Sequence, residues 1–435
     1  MKKVLIISYY SPPMGMGNVV RVVKFAKYFP AYGWEPYFLT STPKNYYTRD
    51  EYLLNEMNQD PIKILRTPIR QRINLLNTHK LKRLPNERTR TFFAYFPQLY
   101  RIPDRYKSWR KKAIRLASAI IEREKVEMIF SSAPPFSDFL VGAELKKKYG
   151  IPLVIDYRDS WLESSLNFYP TRLHKFVNAR MELEILRIAD VVLTVNRRIK
   201  ELLIECYPNI THNDINIIPF GYDQEDFDEA VSQLPRTNKM RITHAGSFFD
   251  LASPRYFLLS LPIVFSRRPE LRKRIEACFL GLLSKENLAL IKKNNLNDVV
   301  YDPGYVNHKE CIKYLMASDV LWFMIGKGKG CETVTPQRLS EYFGARKPII
   351  ACVPDGASKG MLRYYEAVKI CEPDKTEQIA DSIIEYYDLF EKNALPKPNE
   401  ELIVKHEVKN LTHQLARYFE FLIDIAPAIK FQKEK

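Results

Sequence analysis

Apolar residues fall in two alternating rhythms along this chain. Short runs rich in β-branched and aromatic residues, such as K-V-L-I-I-S at 3–8 and I-P-L-V-I-D-Y at 151–157, read as strands buried on both faces. Between them, apolar residues recur three and four apart, the period of an amphipathic helix. The first half gives a strand at 3–8, a helix from about Val19 to Tyr32 and a strand in G-W-E-P-Y-F-L-T-S-T. After an irregular stretch over 44–125 the rhythm resumes with V-E-M-I-F-S-S, a helix ended by Gly150, the strand at 151–157, a helix over about 173–188, strand D-V-V-L-T-V, helix R-R-I-K-E-L-L and strand I-N-I-I-P-F.

Residues 223–239 are polar, contain a proline and read as a linker. A second alternation then begins with M-R-I-T-H-A-G-S-F-F and runs through E-A-C-F-L-G-L-L, V-V-Y-D-P-G-Y-V, V-L-W-F-M-I-G, P-I-I-A-C-V-P and V-K-I-C-E-P. The tail from about Leu402 to Ala426 reads as one amphipathic helix. Strands that alternate with helices make parallel sheets covered on both faces. The expected fold is therefore α/β: two Rossmann-like domains, at 1–222 and 240–400, with a C-terminal segment at 401–435. Ligands of such sheets collect at the carboxyl ends of strands, which in the first domain means 11–18, 131–135 and 158–161.

One stretch carries chemistry of its own, V-T-P-Q-R-L-S-E-Y-F-G-A-R-K-P-I-I-A at 334–351. Pro336 suits the first turn of a helix, with Thr335 as its cap. Leu339, Tyr342 and Phe343 give a buried face, and Pro348 leads into a buried strand. Glu341 lies among these apolar positions, and a carboxylate there needs a partner; two neighbouring sugar hydroxyls would serve. A helix N-terminus is a seat for phosphate. The pattern fits a nucleotide, with diphosphate at Thr335, Pro336 and Gln337 and ribose on Glu341. An ordinary amphipathic helix with a solvated Glu341 fits it as well.

Composition narrows the class. The chain has 435 residues, 46% of them hydrophobic and 27% charged, and no apolar run approaches the ~20 residues that a membrane-spanning helix needs. The N-terminal apolar run is too short for a signal peptide and lacks a small-residue cleavage site. Six cysteines without metal-ligand spacing, and few, scattered histidines, read as reduced thiols in a cytosolic protein with no structural metal. The net charge of +16 is concentrated, because residues 61–125 carry 18 Lys and Arg against 4 Asp and Glu. Basic residues alternate there with aromatics such as Phe92, Phe93, Tyr95 and Phe96. Nucleic acid, an anionic membrane surface and a solvated insertion all fit. No nucleic-acid module is recognisable, and the expectation is an anionic membrane surface, with no nucleic acid. Gly15 and Gly17 let the backbone come close to a ligand or turn sharply, but Val20 breaks the dinucleotide fingerprint.

Taken in order, Y-S-P-P-M-G-M-G-N, I-F-S-S-A-P-P-F-S, I-D-Y-R-D-S-W, A-D-V-V-L-T-V, P-F-G-Y-D-Q-E-D-F, H-A-G-S-F-F and P-Q-R-L-S-E-Y-F-G-A-R-K-P-I-I-A resemble the family-4 glycosyltransferases of the GT-B fold. The resemblance covers nearly the full length except the basic insertion. It implies a cleft between the domains, and a terminal helix that returns to the first. It implies transfer of a sugar from a nucleotide diphosphate sugar, as co-substrate and without a further cofactor, to a glycan or lipid-linked acceptor. Retention at the anomeric carbon, surface polysaccharide synthesis and a cytoplasmic location at the inner membrane face go with it. Glu341 would hold the ribose. Thr335, Pro336, Gln337 and Arg338, with Gly246 and Ser247, would hold the diphosphate, and Gly15 and Gly17 would approach from the facing domain. Arg158 and Asp159 would face the acceptor or the reacting sugar. Many members carry two glutamates with seven residues between them. Here Thr333 stands at the first position and Glu332 is one residue off. Arg255 is the candidate for one diphosphate cation, and Lys327, Lys329 or Arg338 for the other. A nucleotide-sugar epimerase of the same architecture and a non-catalytic sugar- or lipid-binding subunit are the alternatives.

Overall fold

The computed structural model describes residues 1–15, 17–42, 48–68, 102–104, 106–164, 167, 169–230, 237–248 and 252–433. Much of the basic stretch, with Phe92, Phe93, Tyr95 and Phe96, lies outside the described residues. The described residues form two compact units: one runs to Phe220 and resumes at Val408, and the other is Gly221–Glu407.

The first unit is built on a parallel sheet of β1 (Lys2–Ile7), β2 (Trp34–Ser41), β3 (Lys63–Thr67), β4 (Met128–Ala133), β5 (Leu153–Tyr157), β6 (Val191–Thr194) and β7 (Ile215–Ile217). Its spatial order is β3-β2-β1-β4-β5-β6-β7. The chain winds outward from β1, then returns to lay β4 on the other side of β1, with Leu5 opposite both Tyr37 and Ile129. That reversal opens a crevice beyond the carboxyl ends of β1 and β4, where ligands of open α/β sheets bind. The second unit repeats the device with β8 (Met240–Ala245), β9 (Ile275–Leu280), β10 (Val300–Gly304), β11 (Val320–Met324), β12 (Ile349–Cys352) and β13 (Val368–Cys371). Its order is β10-β9-β8-β11-β12-β13, so the reversal falls between β8 and β11.

Period-two alternation divides each sheet between two cores. On β1, Leu5 and Ile7 enter one core while Val4 and Ile6 enter the other. On β11, Val320, Trp322 and Met324 face one side, Leu321 and Phe323 the opposite one. Both faces are apolar, which is why these strands read as continuous hydrophobic runs. The last helix, Val408–Lys433, covers the Val4 face through Leu411, Leu415 and Phe419. Phe419 stacks on Phe29 at 5.3 Å and meets Trp34 edge-on at 5.2 Å.

The structure departs from the sequence reading in three places. The stretch expected to be a linker contains helix Gln224–Ala230, with Phe227 and Ala230 buried one turn apart. Its acidic first turn suits a helix N-terminus, and the polar composition hid the short apolar face. The tail is two helices, Glu400–Lys405 and Val408–Lys433. They break where the Tyr222 N–H donates to the His406 carbonyl at 2.9 Å and Tyr222 pairs with Glu407. The region read as irregular holds helix Glu51–Met57, β3 and helix Lys107–Glu124. In that last helix Trp109, Ala113, Ala117, Ile120 and Ile121 are buried beneath a basic outer face.

Candidate functional site

Helix Gln337–Ala345 stands at the carboxyl end of the second sheet. Pro336 takes an extended ψ of 148° and occupies the cap position itself, so the helix begins one residue later than expected and Thr335 is not its cap. Leu339, Tyr342 and Phe343 form the expected buried face. Tyr342 locks the helix to two strands at once: its hydroxyl accepts from the Ala245 N–H at 2.8 Å and donates to the Trp322 carbonyl at 3.1 Å. Burial pushes this phenol's pKa up, so it keeps its proton.

Arg338 is anchored at the end of β8. Its Nη1 donates to His244 Nε2 at 2.9 Å and to the Ala245 carbonyl at 3.3 Å. Gly246, at φ +120°, makes the room, because a Cβ there would stand 2.7 Å from Nη1. Gly281, at φ +147°, packs its backbone against Gly246 and Ser247, and a Cβ there would meet the Gly246 carbonyl carbon at 2.6 Å. Ser247 Oγ accepts from the Leu282 N–H at 2.9 Å, which ties the two turns together. Among the described residues no carboxylate makes an ion pair with Arg338. Glu341 acts on it at longer range, and burial lowers its pKa. A guanidinium nonetheless stays charged, so this helix start carries a cation in addition to its dipole.

Glu341 is buried, not solvated, with 8% of its surface exposed. His308 Nδ1 lies 3.8 Å from its Oε1, and His308 Nε2 lies 2.8 Å from Asp226 Oδ2. The helix mistaken for linker thus supplies one end of a carboxylate–imidazole–carboxylate row. Gln337 is also buried; its Nε2 donates to the Gly221 carbonyl at 2.7 Å, while Oε1 has no partner among the described residues. Glu332 sits half-exposed in the short turn Cys331–Thr333, and Thr333 turns its hydroxyl inward to the Gly330 carbonyl at 2.9 Å. Arg255 is exposed at the start of helix Arg255–Arg267. Lys327 pairs with Asp374 at 2.9 Å and Glu372 at 3.2 Å, so its charge is already offset.

The expected residues of the first unit gather at its own reversal point. Gly15 exchanges two bonds with Thr48, N to carbonyl at 3.1 Å and carbonyl from hydroxyl at 2.7 Å. Gly17 opens helix Gly17–Tyr28 instead of lying in the loop. From that helix Arg21 grips Asp156 with two bonds, at 3.0 and 2.9 Å, and bonds the carbonyls of Ile218 and Pro219. Arg158 turns back on the carbonyls of Ala133 and Pro134. Asp138 is wholly buried, and burial drives its pKa well above the usual carboxylate range despite a bond from the Tyr9 N–H. Asp159 is pushed up to about 6 by burial, against the opposing pull of Arg158.

The sequence reading missed His244, Tyr342 as a tether, and the Asp226–His308 pair. Each lies inside an apolar run or a polar segment where type and spacing carry no signal. The one available cue was the histidine two residues before Gly246, at the end of a strand.

A glycosyltransferase family 4 model matches residues 17–226. A glycosyltransferase of Methanocaldococcus jannaschii is 24% identical over 276 residues, which cover 60% of this chain and 65% of that relative, just under two thirds of its length. A sucrose-phosphate synthase from Thermosynechococcus elongatus superimposes with a TM-score of 0.64 at 14% identity, over 98% of this chain and 100% of that one. An E. coli protein solved with UDP-2-fluoro glucose does so with a TM-score of 0.61 at 12% identity, over 96% and 99%. At these identities the solved structures speak for the fold alone. Two sheets reversed at β1/β4 and at β8/β11 agree with the GT-B fold of these neighbours, and over residues 17–226 the chain is similar to glycosyltransferase family 4.

Proposed function

We propose that the chain transfers a glycosyl group from a nucleoside diphosphate sugar to an acceptor hydroxyl. The observation that carries this reading is a cation at the start of helix Gln337–Ala345 that no carboxylate among the described residues ion-pairs, one turn before the buried Glu341. A diphosphate complements the first and a ribose diol the second. In the reaction the bond from the anomeric carbon to the diphosphate oxygen breaks as the bond to the acceptor oxygen forms. The acceptor's proton passes to the departing phosphate. Arg338 and the free N–H groups of the helix start would stabilise the charge that develops there. Gly246 and Ser247 give the diphosphate a close backbone approach, and Arg255 is a second cation. Glu332 is assigned to the transferred sugar. Arg158 and Asp159 are assigned to the acceptor side, where an acid pushed up to about 6 exchanges its proton near neutral pH. The bound UDP-2-fluoro glucose of the E. coli neighbour supports this donor class.

The finer reading is retention at the anomeric carbon and a lipid-linked acceptor in surface polysaccharide synthesis, at the inner membrane face. Among the described residues no helix is long and apolar enough to cross a membrane, and attachment would rest on the basic stretch, each cation contributing about 1 kcal/mol near an anionic leaflet. Co-sedimentation that ignores liposome charge would remove this part. The donor reading is tested by calorimetry with UDP and other nucleoside diphosphates. Glu341→Ala is expected to weaken binding by about 1.5–3 kcal/mol, the range of a hydrogen bond to a charged group; unchanged affinity takes Glu341 out of the site. Turnover of a nucleotide sugar to its epimer without acceptor would favour the epimerase reading.

A further inference from the structure

We infer that His244 is the positioning residue that fixes the Arg338 guanidinium for the donor's diphosphate. This rests on the donor reading above. His244 has no solvent exposure and is stacked on Phe248, with ring centroids 4.5 Å apart. Its Nδ1 is 2.9 Å from the Trp322 carbonyl. A carbonyl only accepts, so the ring's proton sits on Nδ1, and Nε2 is left as a bare acceptor. Arg338 Nη1 stands 2.9 Å from that Nε2. Burial and the neighbouring guanidinium both hold the ring neutral.

The choice of residue has a physical consequence. A carboxylate at 244 would hold Arg338 equally well, but it would neutralise the cation and leave nothing for an anion. A neutral imidazole fixes the direction of the guanidinium and leaves its charge intact. Ligand-bearing groups are commonly aimed by such an outer hydrogen bond. The same carbonyl of Trp322 also receives the Tyr342 hydroxyl, so strand β11 sets the positions of both side chains that tie the helix down.

The test is calorimetric titration of the full chain with inorganic pyrophosphate. Asn at 244 can reproduce the Nδ1 donor but not the distant acceptor, whereas Gln places an amide oxygen near the Nε2 position. Arg338→Ala and His244→Asn are each expected to weaken pyrophosphate binding about tenfold or more. The double variant is expected to be no weaker than Arg338→Ala alone, and His244→Gln to retain affinity within about threefold. Wild-type affinity in His244→Asn, with Arg338→Ala weakened, overturns the role of His244 and leaves the donor reading standing. Wild-type affinity in both overturns the diphosphate assignment itself. If His244→Asn does not fold, 15N-histidine spectra decide: Arg338→Ala should shift the His244 Nε2 resonance, and an unmoved resonance rejects the contact.

Discussion

The two sheets reverse direction in the same way and treat charge at the reversal in opposite ways. In the first unit Arg21 is gripped by Asp156 through two bonds, Arg158 stands among Asp138, Asp156 and Asp159, and burial pushes the Asp138 pKa well up. In the second, Arg338 rests on a neutral imidazole and a carbonyl. Shared topology places a crevice in each unit. What differs is whether the fold satisfies its own cation there. A buried cation compensated from within is costly to separate from its partner; one left uncompensated at a helix start is unfavourable until an anion arrives.

That contrast is breakable. Arg21→Ala should have the largest effect, because it takes from the buried Asp156 its ion-pair partner and leaves it only the Ser132 hydroxyl bond and the more distant Arg158: a loss of about 3–5 kcal/mol, read by denaturant unfolding. Arg338→Ala, by contrast, strands no carboxylate; it leaves only the buried His244 Nε2 without its donor, a loss of at most about 1–3 kcal/mol, together with lost pyrophosphate affinity. If both variants lose stability equally, the contrast fails. Gly246→Ala comes next. It forces a side chain to φ +120° and against the guanidinium at 2.7 Å, for a stability cost of about 1–3 kcal/mol together with lost pyrophosphate binding.

A smaller effect should appear with pH. Glu182, in the first unit, is buried, takes a hydrogen bond from Tyr207 and is pushed up to about 8. The folded chain therefore holds this proton across a window in which the unfolded chain has lost it. Stability from this group is full below the ordinary glutamate range and is lost as pH rises toward about 8, with a slope of at most about 1.4 kcal/mol per pH unit. Glu182→Gln should flatten that part of the profile. Smallest of all should be Lys327→Ala, whose exposed pairs are screened by solvent: pyrophosphate affinity is expected to stay within about twofold.

Hydrophobic rhythm along the chain determined the strands, the parallel sheets and the apolar face of helix Gln337–Ala345, because parallel strands buried on both faces leave a local signature. It also located Glu341, since a carboxylate between Leu339 and Tyr342 breaks a local rule. It did not show that His244 meets Arg338, which lies 94 residues away in sequence. Nor did it show that Asp226 reaches His308 across 82 residues. The first pairing arises only when strand order brings β8 beside β11 and sets a helix across their ends, and the second only when helix Gln224–Ala230 meets the start of helix His308–Met316. Whether a charge is neutralised is likewise not a property of the residue that carries it: arginines 21 and 338 are chemically alike in the chain, and only the folded surroundings give one a carboxylate and the other an imidazole.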